Sequence, residues 1–328
     1  MGEIAVRQAI LHGLVAAGFV EALLCAWRIR RARTRLGFWV LALAFPFLVL
    51  PSLLVLAPFR STDRFAAGWA LFASARWSAV QLRGIGVDTM VFGLLGLAGT
   101  LLFLRDVVPF VAAPLRGRLE DHAPHRAPSP ALAGLVDELA GRMHARVPAT
   151  VVLQTDAPVL FVRGVVRQAL VVSDGVVARL TAGQLRAAVA HELAHVRLRD
   201  PLAGWALMTA RLVMFWNPAV QLVARAIVEE MEHRADAAAA AVTDPQTFAG
   251  ALRALASLTN PVAAGSRPTT TWRSDPRRRI ELLAERLHHA HIAARLALVL
   301  AASPVPRFAW TRLAVVGATL GILVFFVV

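Results

Sequence analysis

The chain has 328 residues, of which 57% are hydrophobic and only 17% charged, and its mean hydropathy is +0.59. Soluble domains are about 45–50% apolar and about 25% charged, and disordered chains are poorer still in apolar residues, so an ordinary soluble enzyme and an unfolded chain are both excluded. The basic side chains, 35 against 21 acidic ones for a net charge of +14, are all arginine and flank apolar runs, as the positive-inside rule expects. They form no patch of the kind that binds nucleic acid. The single cysteine, Cys25, leaves no disulfide framework and no cysteine-rich metal cluster. Alanine- and arginine-rich usage without lysine reads as the codon bias of a GC-rich bacterial genome.

Four stretches suit membrane-spanning helices, which need about 20 mostly apolar residues. They are residues 8–27, which contain Glu21 and His12; the uncharged 37–58, with Pro46 and Pro51; 85–104, with Asp88; and 308–328, with Arg312 near one end. Arg28, Arg30, Arg31, Arg33 and Arg35 form a basic loop after the first stretch. By the positive-inside rule that loop is cytoplasmic, and with it the long middle region after the third span. Glu21 and Asp88 are read as lying near helix ends or facing neighbouring helices rather than as an ion path. Gly93, Gly96 and Gly99, and the pair Gly317 and Gly321, suit close helix packing.

The domain organisation expected is three spans within 1–105, a linker over 106–130 rich in proline, arginine and histidine, a cytoplasmic domain over 131–305 and a final span. Apolar residues at Leu132, Leu135, Val136, Leu139 and Met143 predict a helix over 131–146. Residues 150–153, 159–162 and 169–172 are short β-branched runs that predict a small sheet. Thr181 and Gln184 make a capping box for a helix that runs to about Arg199 and stops before Pro201. Asn217-Pro218 starts a second helix that reaches about Val242.

The first of these helices carries His191-Glu192-Leu193-Ala194-His195. Two histidines four residues apart project from one helix face, so both imidazoles can bind one metal ion, with Glu192 beside them to hold a water. This is the HExxH pattern of zinc peptidases. A third ligand is required. The second helix offers Glu229, Glu230, Glu232, His233 and Asp236. Glu232 and Asp236 share a face, but so do Glu229 and His233. His288, His289 and His291 are spaced so that they do not all share one face, and they read as a non-binding patch. The apolar stretch 202–215 cannot cross the membrane if His195 and Glu232 meet at one ion, so it is expected to be a buried, interfacial or re-entrant helix.

HELAH preceded by Thr-x-x-Gln-Leu, followed by Arg-x-Arg-Asp-Pro-Leu, Phe-Trp-Asn-Pro-Ala-Val and Glu232-His233-Arg234-Ala235-Asp236, resembles the BlaR/MecR-type membrane metallopeptidases. These are gluzincins, and the chain is also similar to HtpX-type membrane zinc proteases. The resemblance covers about residues 149–285. It implies a mainly α fold with a small β-sheet, in a multi-pass membrane protein with a gluzincin-like zinc peptidase domain. It also implies one zinc per chain held by His191, His195 and Glu232, Glu192 as general base, and Asp236 orienting a ligand histidine. Where relatives read Thr-His-Pro, this chain has Ser274-Asp275-Pro276, so the oxyanion stabiliser falls to Arg273, Arg277 or His233. The function implied is a bacterial plasma-membrane endopeptidase whose domain faces the cytoplasm and acts on a protein such as a cytoplasmic repressor or a membrane protein. The role is regulatory proteolysis or, alternatively, membrane-protein quality control. The rival reading is a degenerate relative that serves as a signal transducer or scaffold.

Overall fold

The computed structural model describes residues 2–71, 73, 80–116, 124–259, 295, 297, 299 and 310–327. In chain order, helix α1 (Gly2–Ala26) precedes α2 (Ala32–Ala44), a π-helical turn (Phe45–Val49), α3 (Leu50–Leu56) and α4 (Asp63–Gly68). A hairpin of β1 (Gln81–Leu82) and β2 (Ile85–Gly86) leads into α5 (Val87–Arg116). Then come β3 (His125–Arg126), α6 (Pro130–Met143), β4 (Ala149–Leu153), β5 (Leu160–Arg163) and β6 (Ala169–Ser173). Helices α7 (Asp174–Arg179), α8 (Ala182–Leu198), α9 (Asp200–Val213), α10 (Pro218–Val242) and α11 (Pro245–Thr259) follow, and α12 (Trp310–Phe325) is the last described helix. The protein is thus mainly helical with a small sheet.

The chain divides into two compact units, one of residues 1–116, 204–231 and 306–328, the other of 117–203 and 232–305. Residues 204–231, which lie within the expected 131–305, group with the first unit.

In the first unit, three helical runs among the described residues are long and apolar enough to cross a membrane: Ala5–Ala26, Ala32–Leu53 and Val87–Val107. The second run is displaced from the expected 37–58. It starts within the arginine cluster, taking Arg33 and Arg35 into the helix, and a π-turn at Pro46 interrupts it. Proline lacks the N–H that an α-helix would use there, and a π-turn is one way of absorbing that loss. Helix α5 runs on to Arg116, into the stretch expected to be linker, and β3 occupies two more of its residues. The described part of the fourth expected span, α12, has 16 residues, about 24 Å of helix against a hydrocarbon core of ~30 Å. Residues 202–215 fall largely in the 14-residue α9, too short to cross. It exposes Leu202, Trp205, Leu212 and Val213 along one side.

Several charged groups inside this unit are paired. Asp88 is buried against Arg7. Asp106 accepts from Arg211 at 2.6 Å and from Arg225 at 2.8 Å, and Arg211 also donates to Gln221 at 2.9 Å. Glu230 is buried against Arg35. Of the small residues expected to serve packing, Gly99 is required by its neighbours, since a Cβ there would lie 2.2 Å from the Trp216 carbonyl oxygen.

In the second unit the sheet order is β3-β4-β6-β5, with β4 and β6 parallel and β5 antiparallel to β6 at the edge. Val152, Leu170 and Val172 are fully buried, as expected of strands covered on both faces. Helix α8 begins at the expected capping box, in which Thr181 Oγ1 accepts from Gln184 N and Gln184 Oε1 from Thr181 N. Its buried face is built from Ala187, Val189, Ala190, Leu193 and Ala194. Such small side chains let the helix lie close to α6, α11 and β5. It stops at Arg199, which is left-handed with φ 58°, a common way to end a helix.

Candidate metal centre

One turn of α8 aims His191 and His195 at the same point. Their Nε2 atoms are 3.1 Å apart and their rings are perpendicular. Helix α10 brings Glu232 to both, with Oε2 3.6 Å from His191 Nε2 and Oε1 3.6 Å from His195 Nε2. One ligand atom from each of the three residues fits within a 4.8 Å span. Ligand atoms about 2.0–2.1 Å from a tetrahedral ion stand about 3.3 Å apart, so the donor set and its spacing fit zinc.

A carboxylate lies at the far side of each imidazole. His191 Nδ1 lies 3.0 Å from Asp236 Oδ1, the partner that the sequence pattern named. His195 Nδ1 lies 2.8 Å from Asp200 Oδ2, a partner that it did not name. A carboxylate on Nδ1 fixes the tautomer and leaves Nε2 as the lone-pair donor. The carboxylates are themselves anchored. Arg295 grips Asp236 through Nε and Nη2 at 2.7 and 2.6 Å and stands 3.4 Å from Glu232, while Arg234 pairs with Asp200.

Glu192 points to the opposite wall. Its Oε2 accepts from the backbone N–H of Val162 at 3.0 Å. The ladder contact from Ser173 N to Val159 O, alternated along an antiparallel pair, turns residue 162 toward the free edge of β5. This explains why its N–H is available. Phe161, Val162 and Pro201 supply the apolar walls of a cleft of about 320 Å³ that holds His191, Glu192, His195, Asp200 and Glu232.

The protein groups alone polarise one another strongly. Burial lowers the affinity of His191 for a proton, but Asp236, Glu232 and Glu192 outweigh it and hold the imidazole up at about 10. Burial pushes Glu232 and Asp236 up, yet the His191 and Arg295 contacts bring each down to about 2. Glu192 moves upward, chiefly by burial, against the pull of His191 and His195.

Of the other candidates on α10, Glu230 turns to Arg35 in the first unit, and neither Glu229 nor His233 lines the cleft. Arg273, Arg277 and the histidines at 288, 289 and 291 lie outside the described residues.

The profile of the BlaR1 peptidase M56 family matches residues 116–283, just over half of the chain, and the chain belongs to that family. A protease HtpX homolog of Methylibium petroleiphilum (strain ATCC BAA-1232 / LMG 22953 / PM1) is 32% identical over 158 residues, a match that covers 38% of this chain and 56% of that protein. The chain thus matches little more than half the length of that curated relative. Family and apolar helices together make it a membrane protein.

Proposed function

We propose that the chain is a membrane zinc endopeptidase with one zinc per chain, held by His191, His195 and Glu232. The observation that carries this reading is the convergence of the two Nε2 atoms and the Glu232 carboxylate, with Glu192 beside them in the cleft. Zinc bound there supplies Lewis acidity, lowering the pKa of a water to about 7 and polarising the scissile carbonyl. Glu192 takes the proton from the water and returns it to the leaving amine. Val162 N–H steadies one oxygen of that carboxylate, which leaves the other for the proton. An extended substrate segment pairs with the free edge of β5, using backbone groups and so tolerating many sequences. The site faces the cytoplasm, and the substrate is a protein or peptide, either a cytoplasmic repressor or a membrane protein.

The test is zinc content and cleavage of casein, or of the chain itself, by the purified full-length protein beside Glu192→Gln. One zinc in both with cleavage only in the parent supports the proposal. Zinc in both without cleavage in either favours a scaffold or signal transducer, and a parent that binds no zinc removes the ligand assignment.

A further inference from the structure

Two arginines that the chemistry above does not use stand directly behind it. Arg295 clasps Asp236 with two parallel hydrogen bonds and reaches Glu232, while Arg234 is paired with Asp200. Each carboxylate in turn meets the Nδ1 side of one histidine. The two chains of contact, Arg295 to Asp236 to His191 and Arg234 to Asp200 to His195, flank Glu232 and converge on the same point.

We propose that Arg295 and Arg234 are positioning residues for the metal ligands, setting metal affinity by locking the carboxylates that orient the two imidazoles. This inference rests on the reading of His191, His195 and Glu232 as a metal site. Two arguments support it. The first is geometric. Asp236 and Asp200 are almost fully buried, and a buried carboxylate without a cation is strongly unfavourable. A planar guanidinium that binds both oxygens also fixes the plane of the carboxylate, which a lysine ammonium does not. With Asp236 so fixed, the His191 ring has one preferred orientation, and Glu232 is restrained by the same guanidinium. The second is charge. Glu192, Asp200, Glu232 and Asp236 bring four carboxylates together, and among the described residues Arg234 and Arg295 are cations paired with them. Two negative charges remain, which a divalent ion balances while both imidazoles stay neutral. Removal of either arginine leaves its buried aspartate without a cation and one histidine loosely held; the added negative charge by itself would favour a divalent ion, so a loss of affinity reports positioning rather than charge.

The experiment measures zinc affinity of the full chain in detergent by competition with a chromophoric chelator, and records the visible spectrum with cobalt(II) in place of zinc. The variants are Arg295→Ala, Arg295→Lys and Arg234→Ala, each also in the Asp236→Asn background, with Arg186→Ala as a surface control. Loss of an outer partner of a metal ligand typically weakens binding ~10–100-fold, and that loss is expected for Arg295→Ala and Arg234→Ala. Arg295→Lys restores only part of it, and both Arg295 variants shift the cobalt spectrum. In the Asp236→Asn background the Arg295→Ala loss shrinks to the part carried by its contact with Glu232, while the Arg234→Ala loss persists. If Arg295→Ala does not fold, the Arg295→Lys spectrum decides. An unchanged affinity and spectrum overturn the proposal, and so does an Arg295 loss of equal size in the Asp236→Asn background, which would mean that Arg295 does not act through Asp236. Zinc bound by the parent and lost in His191→Ala, but indifferent to Arg295, defeats this inference alone. A parent without zinc defeats the proposed function itself.

Discussion

His195 and Asp200 lie on different helices, yet their side chains meet at 2.8 Å because one left-handed residue, Arg199, separates α8 from α9. The turn ends the helix that carries HExxH and places the first acidic residue of the next helix behind the second histidine. On the proposed reading, Asp200→Asn keeps shape and removes the charge. Zinc affinity is expected to fall ~10–100-fold, with activity recovering at saturating zinc. Equilibrium dialysis of parent and variant checks this, and equal zinc retention would remove Asp200 from the site.

Zinc binding should strengthen as pH rises. His191 holds its proton up to about 10 among the protein groups, while zinc takes a neutral imidazole, so below that pH each ion displaces a proton. Calorimetry in two buffers of different ionisation enthalpy counts the protons released, and a count of zero contradicts the assignment. Stability has its own acid limb. Asp236 is lowered from 3.8 to about 2, so its contribution is present above the unfolded value and is lost as pH falls through about 2. Acid unfolding of Asp236→Asn should be less steep.

Val162→Pro removes the N–H that Glu192 accepts. An edge strand tolerates proline where the N–H faces away from the ladder, so the sheet should survive. A hydrogen bond to a charged group is worth about 1.5–3 kcal/mol, roughly 10–100-fold in turnover. Zinc content should not change, and steady-state kinetics beside zinc analysis separates the two.

Gly99→Ala places a methyl against the Trp216 carbonyl, whereas Gly96 has open space at the same point. Overpacking of this kind costs about 1–3 kcal/mol, so the melting temperature of the first variant should drop while that of Gly96→Ala stays near the parent. Thermal melts in detergent distinguish the two, and equal melting would show that α5 is not closely packed at Gly99.

Local rules made much of this legible. The capping box at Thr181, Asn217 ahead of Pro218 and the β-branched runs all announce elements that the fold contains, because each signal acts within a few residues. The spacing of His191 and His195 is equally local. Where the sequence is silent, the deciding interaction is distant or backbone-borne. Helix α5 runs past 104, and its Asp106 is held by Arg211 and Arg225, over a hundred residues away. Asp200 lies in the Arg-x-Arg-Asp-Pro-Leu stretch, where a left-handed residue between the two helices leaves no periodicity to read. The Val162 N–H carries no side-chain signature, and Arg295 lies 59 residues beyond the aspartate that it clasps.

On the proposed reading, the free edge of β5 has a consequence for what the protein would cut. A strand can join that edge only if its own backbone groups are unpaired, so a segment inside a folded domain must first open. The rate at which a given target is cut is then governed by the free energy of its local unfolding, when opening and closing are fast beside cleavage. Two targets with the same residues around the scissile bond would differ in lifetime by the stability of the surrounding fold, and damaged or unassembled proteins would be consumed first.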